Sequence, residues 1–137
     1  MKKIVWNNQF SVGVKKMDAQ HQKIIRIFNT LVDNAQANAG SEKVSEGLSD
    51  MVEYASEHFK CEEQLLRDHA HPDLEQQHTE HMEFRRQAGE FCLKASKGDE
   101  EVVHDLLNYL YGWWTNHILH EDKKYMALLE EKRSMRI

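Results

Sequence analysis

Apolar positions recur along this chain at intervals of three and four residues, the spacing of an α-helix that turns one face inward. The first stripe is His21, Ile24, Phe28, Leu31 and Ala35. It predicts a helix that starts near Asp18, a favourable N-cap, and stops at about residues 39–40, where Gly40 follows. Ser41 can cap a second helix over about 41–67, with Val44, Leu48, Met51, Ala55, His58, Glu62 and Leu65 on its inner face. Asp68–His71 breaks the pattern, and Pro72 suits the first turn of a third helix over 72–96. That helix shows Leu74, Gln77, His81, Phe84, Ala88, Phe91 and Ala95 along one face. Lys97-Gly98-Asp99 reads as a stop followed by a cap, and a fourth helix over 99–132 carries Val103, Leu106, Leu110, Trp113 and His117. Residues 1–17 lack helical period and are read as an extended arm laid across the rest. The expected fold is all-α: an up-down-up-down four-helix bundle with an extended N-terminal arm, one domain over residues 1–137.

The inner stripes carry more than hydrocarbon. His58 and Glu62 are four apart and so share a helix face. A charged Glu62 in an apolar seam is costly unless something pairs with it. His21, His81 and His117 fall on inward positions of the other three helices. A lone histidine on such a face is ordinarily a hydrogen-bonded core residue. Four of them together with acids leave several buried polar groups to satisfy one another, or else hold metal. Neutral imidazoles and carboxylates converging from several helices are the donor set of a dinuclear iron or manganese site. Structural zinc takes four donors, often thiolates, and suits this set of six or seven nitrogen and oxygen donors less well.

The fourth helix has a register problem. His117 and Asp122 are five apart, which on an ideal α-helix turns their side chains about 140° from each other. They meet only if the helix is locally unwound or contains a π-bulge. The apolar stripe agrees with a slip of one residue, after which Asp122, Tyr125 and Leu129 continue it.

Composition narrows the partners. A formal charge of −5 and no Lys/Arg cluster disfavour nucleic acid and anionic membranes. No apolar run follows Met1-Lys2-Lys3, so neither a secretion signal nor a membrane span is expected. Cys61 and Cys92 are far apart and give no disulfide framework and no CxxC motif. A reducing cytoplasm is the simplest compartment. Both cysteines read as flank or packing positions, and His69, His71 and His104 as solvent-exposed. No nucleophile–base pair, phosphate loop or Gly-rich cofactor fingerprint is present.

Taken in order, Trp6 in the arm, Asp18-Ala19-Gln20-His21, His58-x-x-x-Glu62, Pro72-Asp73-Leu74, His81-x-x-Phe84 and His117-Ile118-Leu119-His120-Glu121-Asp122-Lys123-Lys124-Tyr125 resemble the bacterial hemerythrins over nearly the whole chain. The resemblance implies a non-haem di-iron centre with a bridging oxo or hydroxo group. His21 and His58 would bind the iron that has an open position, and His81 and His117 the second. Glu62 and Asp122 would bridge the two. It implies reversible O2 binding for storage, delivery or sensing, and so an oxygen-binding protein rather than an enzyme. Ile118, Leu119 and Trp113 are candidates for the pocket wall.

One place departs from the resemblance. The family's third-helix motif is His-x-x-x-His, and four residues before His81 stands Gln77, with His78 next to it. Either Gln77 faces the metal, giving a weak amide oxygen or leaving the place to water, or a local twist brings His78 inward. Two other expectations stay open, the first of them because of this departure. One is a di-iron enzyme that consumes peroxide, O2 or NO on the same site. The other is a metal-storage bundle or one whose site is degenerate.

Overall fold

The computed structural model describes residues 2–37, 40–95, 100–124 and 126–127. Four helices form the expected antiparallel bundle: α1 (Lys15–Gln36), α2 (Ser41–Asp68), α3 (Leu74–Ala95) and α4 (Glu100–Asn116). A π-helical segment, His117–Asp122, continues α4. Each helix packs on its neighbours in chain order and α4 closes back on α1. Most of the stripes read from the sequence face inward. Near two helix ends the inner place passes to the next residue, Leu66 and Trp114 being buried where Leu65 and Trp113 were expected. Leu65, Val103 and Trp113 are only partly buried. Ile24, Phe28 and Leu31 meet Val44, Leu48, Met51 and Ala55, with Phe84, Ala88, Leu106, Leu110 and Trp114 on the opposite side. Tyr125, Leu129 and the expected end of the fourth helix near residue 132 lie outside the described residues.

Three helix starts differ from the expectation. Helix α1 begins at Lys15, after Val14 as N-cap, not at Asp18. Asp18 sits in the first turn and caps the arm instead. Its Oδ1 accepts from the Val12 backbone N–H at 2.8 Å, and its Oδ2 from Ser11 Oγ at 2.6 Å. Helix α2 takes Gly40, at φ +97°, as its N-cap, so Ser41 is the first helical residue rather than the cap. Helix α3 begins at Leu74, and Pro72 stays in the preceding turn. That turn needs Ala70 at φ +50° and is filled by His71, which is buried rather than exposed. The His71 N–H donates to Leu66 O at 2.9 Å, and its Nδ1 accepts from the Asp73 N–H at 3.0 Å.

The arm is anchored at two places and includes one 3-10 turn, Asn8–Phe10, that the sequence pattern did not indicate. Asn29 of α1 pairs with both backbone groups of Ile4, at 2.9 and 2.8 Å. Beyond this, Val12 joins Met17 and Leu66 in a second, smaller apolar cluster. Met17 is in the first turn of α1 and Leu66 near the end of α2, so the arm caps one end of the bundle. Asp18→Ala removes both of its anchors there. It is expected to cost about 1.5–3 kcal/mol, the range for hydrogen bonds to a charged group. Urea unfolding and amide exchange at Val12 measure it, and an unprotected Val12 amide in the wild-type chain would contradict it.

Candidate metal centre

Just inside that capped end, every helix brings polar side chains into the seam. His21 comes from the second turn of α1, His58 and Glu62 from late α2, Gln77 and His81 from early α3, and His117 and Asp122 from the π segment. All seven are buried, and Glu62 and Asp122 are 0% exposed. The π segment solves the register problem. Its wider turn places residues five apart above one another, which is what His117 and Asp122 require. His120, within the π segment, is exposed, and Asp122 occupies the inner place.

The geometry has an internal pseudo-symmetry. His21 Nε2 and His58 Nε2 lie 3.1 Å apart, and His81 Nε2 and His117 Nε2 lie 3.2 Å apart. Glu62 gives one oxygen to each pair: Oε2 is 3.1 Å from His58 Nε2, and Oε1 is 3.0 Å from His81 Nε2. Asp122 does the same, with Oδ2 3.1 Å from His21 Nε2 and Oδ1 3.0 Å from His117 Nε2. Donor atoms of His21, His58, Glu62 and Asp122 all fall within 4.8 Å of one another, as do those of Glu62, His81 and His117.

The outer nitrogens explain why the inner ones are free to act. His58 Nδ1–H donates to Gln20 Oε1 at 2.6 Å, and His81 Nδ1–H donates to Glu63 Oε2 at 3.0 Å. His117 Nδ1 lies 3.5 Å from Glu80 Oε2. Such partners fix the tautomer that leaves the Nε2 lone pair facing inward, and they raise its basicity. Gln20, Glu63 and Glu80 were not singled out in the sequence. The signal that finds them is position: each stands one residue from an inner-face residue, or three residues from one of the histidines. Glu63→Ala is therefore expected to weaken metal binding by about 10- to 100-fold, confined to the His81/His117 half. A titration that found both halves weakened equally would count against it.

Aromatic rings wall the centre on its core side. Phe59 stacks on His81 with centroids 3.9 Å apart and planes at 7°, and Trp113 stacks on His117 at 4.4 Å and 13°. Trp113 was expected near the site. Phe59 was not, because its position beside His58 placed it on the flank of a regular stripe.

The donors fit a pair of cations. Two buried carboxylates have no Lys or Arg among the described buried residues to offset them. Protons take that role when no metal is bound. Burial opposes charging His21, but the nearby Asp122 and Glu62 carboxylates overcome it and raise His21 to about 9. Against the same burial, Asp122, Glu62 and Glu80 raise His117 well above its ordinary value. His58 is pushed down, mainly by burial. Burial would raise Glu62, yet the imidazoles of His58, His117 and His21 hold it well below the usual carboxylate range. Asp122 is likewise held low by His117 and His21, against burial and the charge of Glu62.

Of the two expectations for the third helix, the regular one describes the structure. Gln77 is 1% exposed and faces the centre, and its Nε2 donates to Asp122 Oδ1 at 3.2 Å. The His78 side chain is 57% exposed and turned outward, where its Nδ1–H donates to Glu63 Oε1 at 2.6 Å.

The profile of the hemerythrin HHE cation binding domain matches residues 12–129. The chain belongs to the hemerythrin family. Its relatives include a bacteriohemerythrin of Stenotrophomonas maltophilia, 30% identical over 122 residues, which cover 89% of this chain and 78% of that one. A bacteriohemerythrin of Clostridium acetobutylicum is 28% identical over 126 residues, covering 89% of this chain and 98% of the other. A crystal structure of wild-type hemerythrin, 24% identical, superposes with a TM-score of 0.79 over 90% of this chain and 95% of that one, which shows the shared fold. This hemerythrin-family chain thus contains a cation-binding domain with a buried histidine–carboxylate cluster. Among the described residues no helix is long and apolar enough to cross a membrane.

Proposed function

We propose that this centre holds two iron ions and binds O2 reversibly, without net turnover. The observation that carries the reading is the division of both carboxylates between the two imidazole pairs. One oxygen per half from each acid is an economical way to hold two cations side by side, and the all-nitrogen-and-oxygen donor set suits iron. His21 and His58 would hold one ion and His81 and His117 the other, with Glu62 and Asp122 serving both. An iron pair held there would supply the redox chemistry for reversible O2 binding.

The chain's own part is geometry and exclusion of water. Gln20 and Glu63 keep His58 and His81 aimed inward. Phe59, Trp113 and Trp114 pack against the imidazoles from the core side, and the Val12, Met17 and Leu66 cluster closes the bundle end. A dry, apolar surround keeps bulk water from the centre. Resemblance to the hemerythrins supports this ligand, and the free Cys61 and Cys92 are in keeping with a reducing, cytoplasmic setting.

One observation favours a second reading, an enzyme that consumes peroxide, O2 or NO. Gln77 supplies an amide, not an imidazole, to the His81/His117 half. The visible spectrum of the chain, iron-loaded and reduced under anaerobic conditions, decides between the two. A charge-transfer band that forms in air and vanishes on deoxygenation is expected. Irreversible passage to an oxidised spectrum would favour the enzyme, and absence of any iron-dependent band would overturn both.

A further inference from the structure

Gln77 does something more specific than fill space. Its amide can be oriented in two ways, and the neighbouring carboxylate selects one. With Nε2 toward Asp122 Oδ1, 3.2 Å away, the contact is a hydrogen bond. The reverse orientation would bring two acceptor oxygens together. The nitrogen is thereby committed, and an amide nitrogen, its lone pair delocalised into the carbonyl, is in any case no ligand for a cation. The oxygen remains. Gln77 Oε1 is buried and, among the described residues, has no partner. A buried acceptor of this kind calls for a donor. His78 does not supply it, since its side chain is 57% exposed and engaged with Glu63.

The donor count on this side of the centre points the same way. The His81/His117 half receives two imidazole nitrogens, Glu62 Oε1 and Asp122 Oδ1. An octahedral-leaning ion with those donors still has room for small ligands. Gln77 Oε1 is an unsatisfied buried acceptor beside that half, on the residue whose Nε2 already holds Asp122 Oδ1.

We infer that Gln77 is not a metal ligand but marks an exchangeable coordination position on the His81/His117 ion, its Oε1 accepting a hydrogen bond from a small O–H-bearing ligand of the water or hydrogen peroxide class. The inference rests on the two-ion reading given above. Its consequence is that both ions, and not one alone, present a position to exogenous ligands. Gln77 then anchors Asp122 through its nitrogen and the incoming ligand through its oxygen.

The test uses the full chain loaded anaerobically with Co(II), with azide as the probe of open positions, followed in the visible spectrum. Wild type is expected to take one more equivalent of azide than Gln77→His, in which the new imidazole occupies the position. Gln77→Leu, which removes the amide and offers no donor, is expected to take the same number as wild type. If wild type takes as few as Gln77→His while Gln77→Leu takes one more, Gln77 is a ligand through Oε1 and the inference is overturned. Equal numbers for wild type and Gln77→His, whatever Gln77→Leu does, overturn it as well. Failure of the wild-type chain to bind Co(II) overturns the two-ion reading itself, which a metal analysis before azide is added registers separately.

Discussion

Glu62→Ala is expected to leave a folded bundle that retains less than about half of the metal held by the wild type. Each carboxylate oxygen of Glu62 serves a different half of the centre. Oε2 is 3.1 Å from His58 Nε2 and 3.6 Å from His21 Nε2, and Oε1 is 3.0 Å from His81 Nε2 and 3.3 Å from His117 Nε2. One substitution therefore removes a donor and a negative charge from both ions. Loss of a mere outer partner of a ligand weakens metal binding by about 10- to 100-fold, and loss of a shared ligand should exceed that. The fold is expected to survive, because Phe28, Leu48, Met51, Phe84, Leu106 and Leu110 make a core that does not include Glu62. Metal analysis after gel filtration, beside a far-UV circular dichroism spectrum, reads both parts. His120→Ala is the control, since His120 is exposed within the same π segment. Retention of a full complement of iron by Glu62→Ala would remove the basis for a shared carboxylate.

Stripping the metal is expected to lower the thermal midpoint by on the order of 10 °C or more, and the gap between loaded and stripped protein should widen from pH 6.5 to 9. Ligand present at a thousand times its dissociation constant stabilises the folded state by about 4 kcal/mol. For a chain of this size roughly 3–5 °C accompanies each kcal/mol. The pH dependence follows from the protons that occupy the metal-free centre. His21 is raised from 6.5 to about 9 on folding. A raised value contributes stability that is fully present below 6.5 and is lost as pH climbs through 9. His117, also raised, acts in the same direction. Glu62 and Asp122 are lowered, so their contribution is present above the ordinary carboxylate range and is lost as acid protonates them. His58 is lowered, and below 6.5 it opposes the gain from His21. Metal ligands must be deprotonated to bind, so affinity rises through the window in which the stripped protein weakens. Calorimetry of chelated and loaded protein at pH 6.5 and 9 measures the gap. A gap that narrows with pH would mean that protons do not take the place of the metal.

Much of the centre was legible because an α-helix has a fixed angular period. His21, His58, Glu62, His81 and His117 stand at intervals of three and four residues from apolar neighbours, so their inward direction follows from spacing alone. The same rule correctly exposed a conflict at His117 and Asp122, five apart, and named a π-bulge as the way out; the π segment His117–Asp122 is that bulge. Helix ends were less legible. Asp18 and Ser41 have the chemistry of N-caps, yet Asp18 caps the arm and Gly40 precedes α2, because a cap is chosen by where the incoming chain lies and not by residue type. His71 was misplaced for a related reason: its burial depends on a turn whose inner opening exists only once α2 and α3 pack.

The sequence by itself determined the bundle, the presence of an N-terminal arm and most of the side chains that face the seam. These depend on local periodicity and on the burial of apolar stripes, which act over one or two helical turns. Tertiary structure alone decided which oxygen of each carboxylate meets which imidazole pair, the tethering of His58 and His81 by Gln20 and Glu63, and the commitment of the Gln77 amide to Asp122. Each of these joins different helices, across 18 to 45 residues where the pairs are hydrogen-bonded. Hydrogen bonds and ion pairs depend on distances of a few tenths of an ångström, and these are set by how helices pack rather than by the period along any one of them.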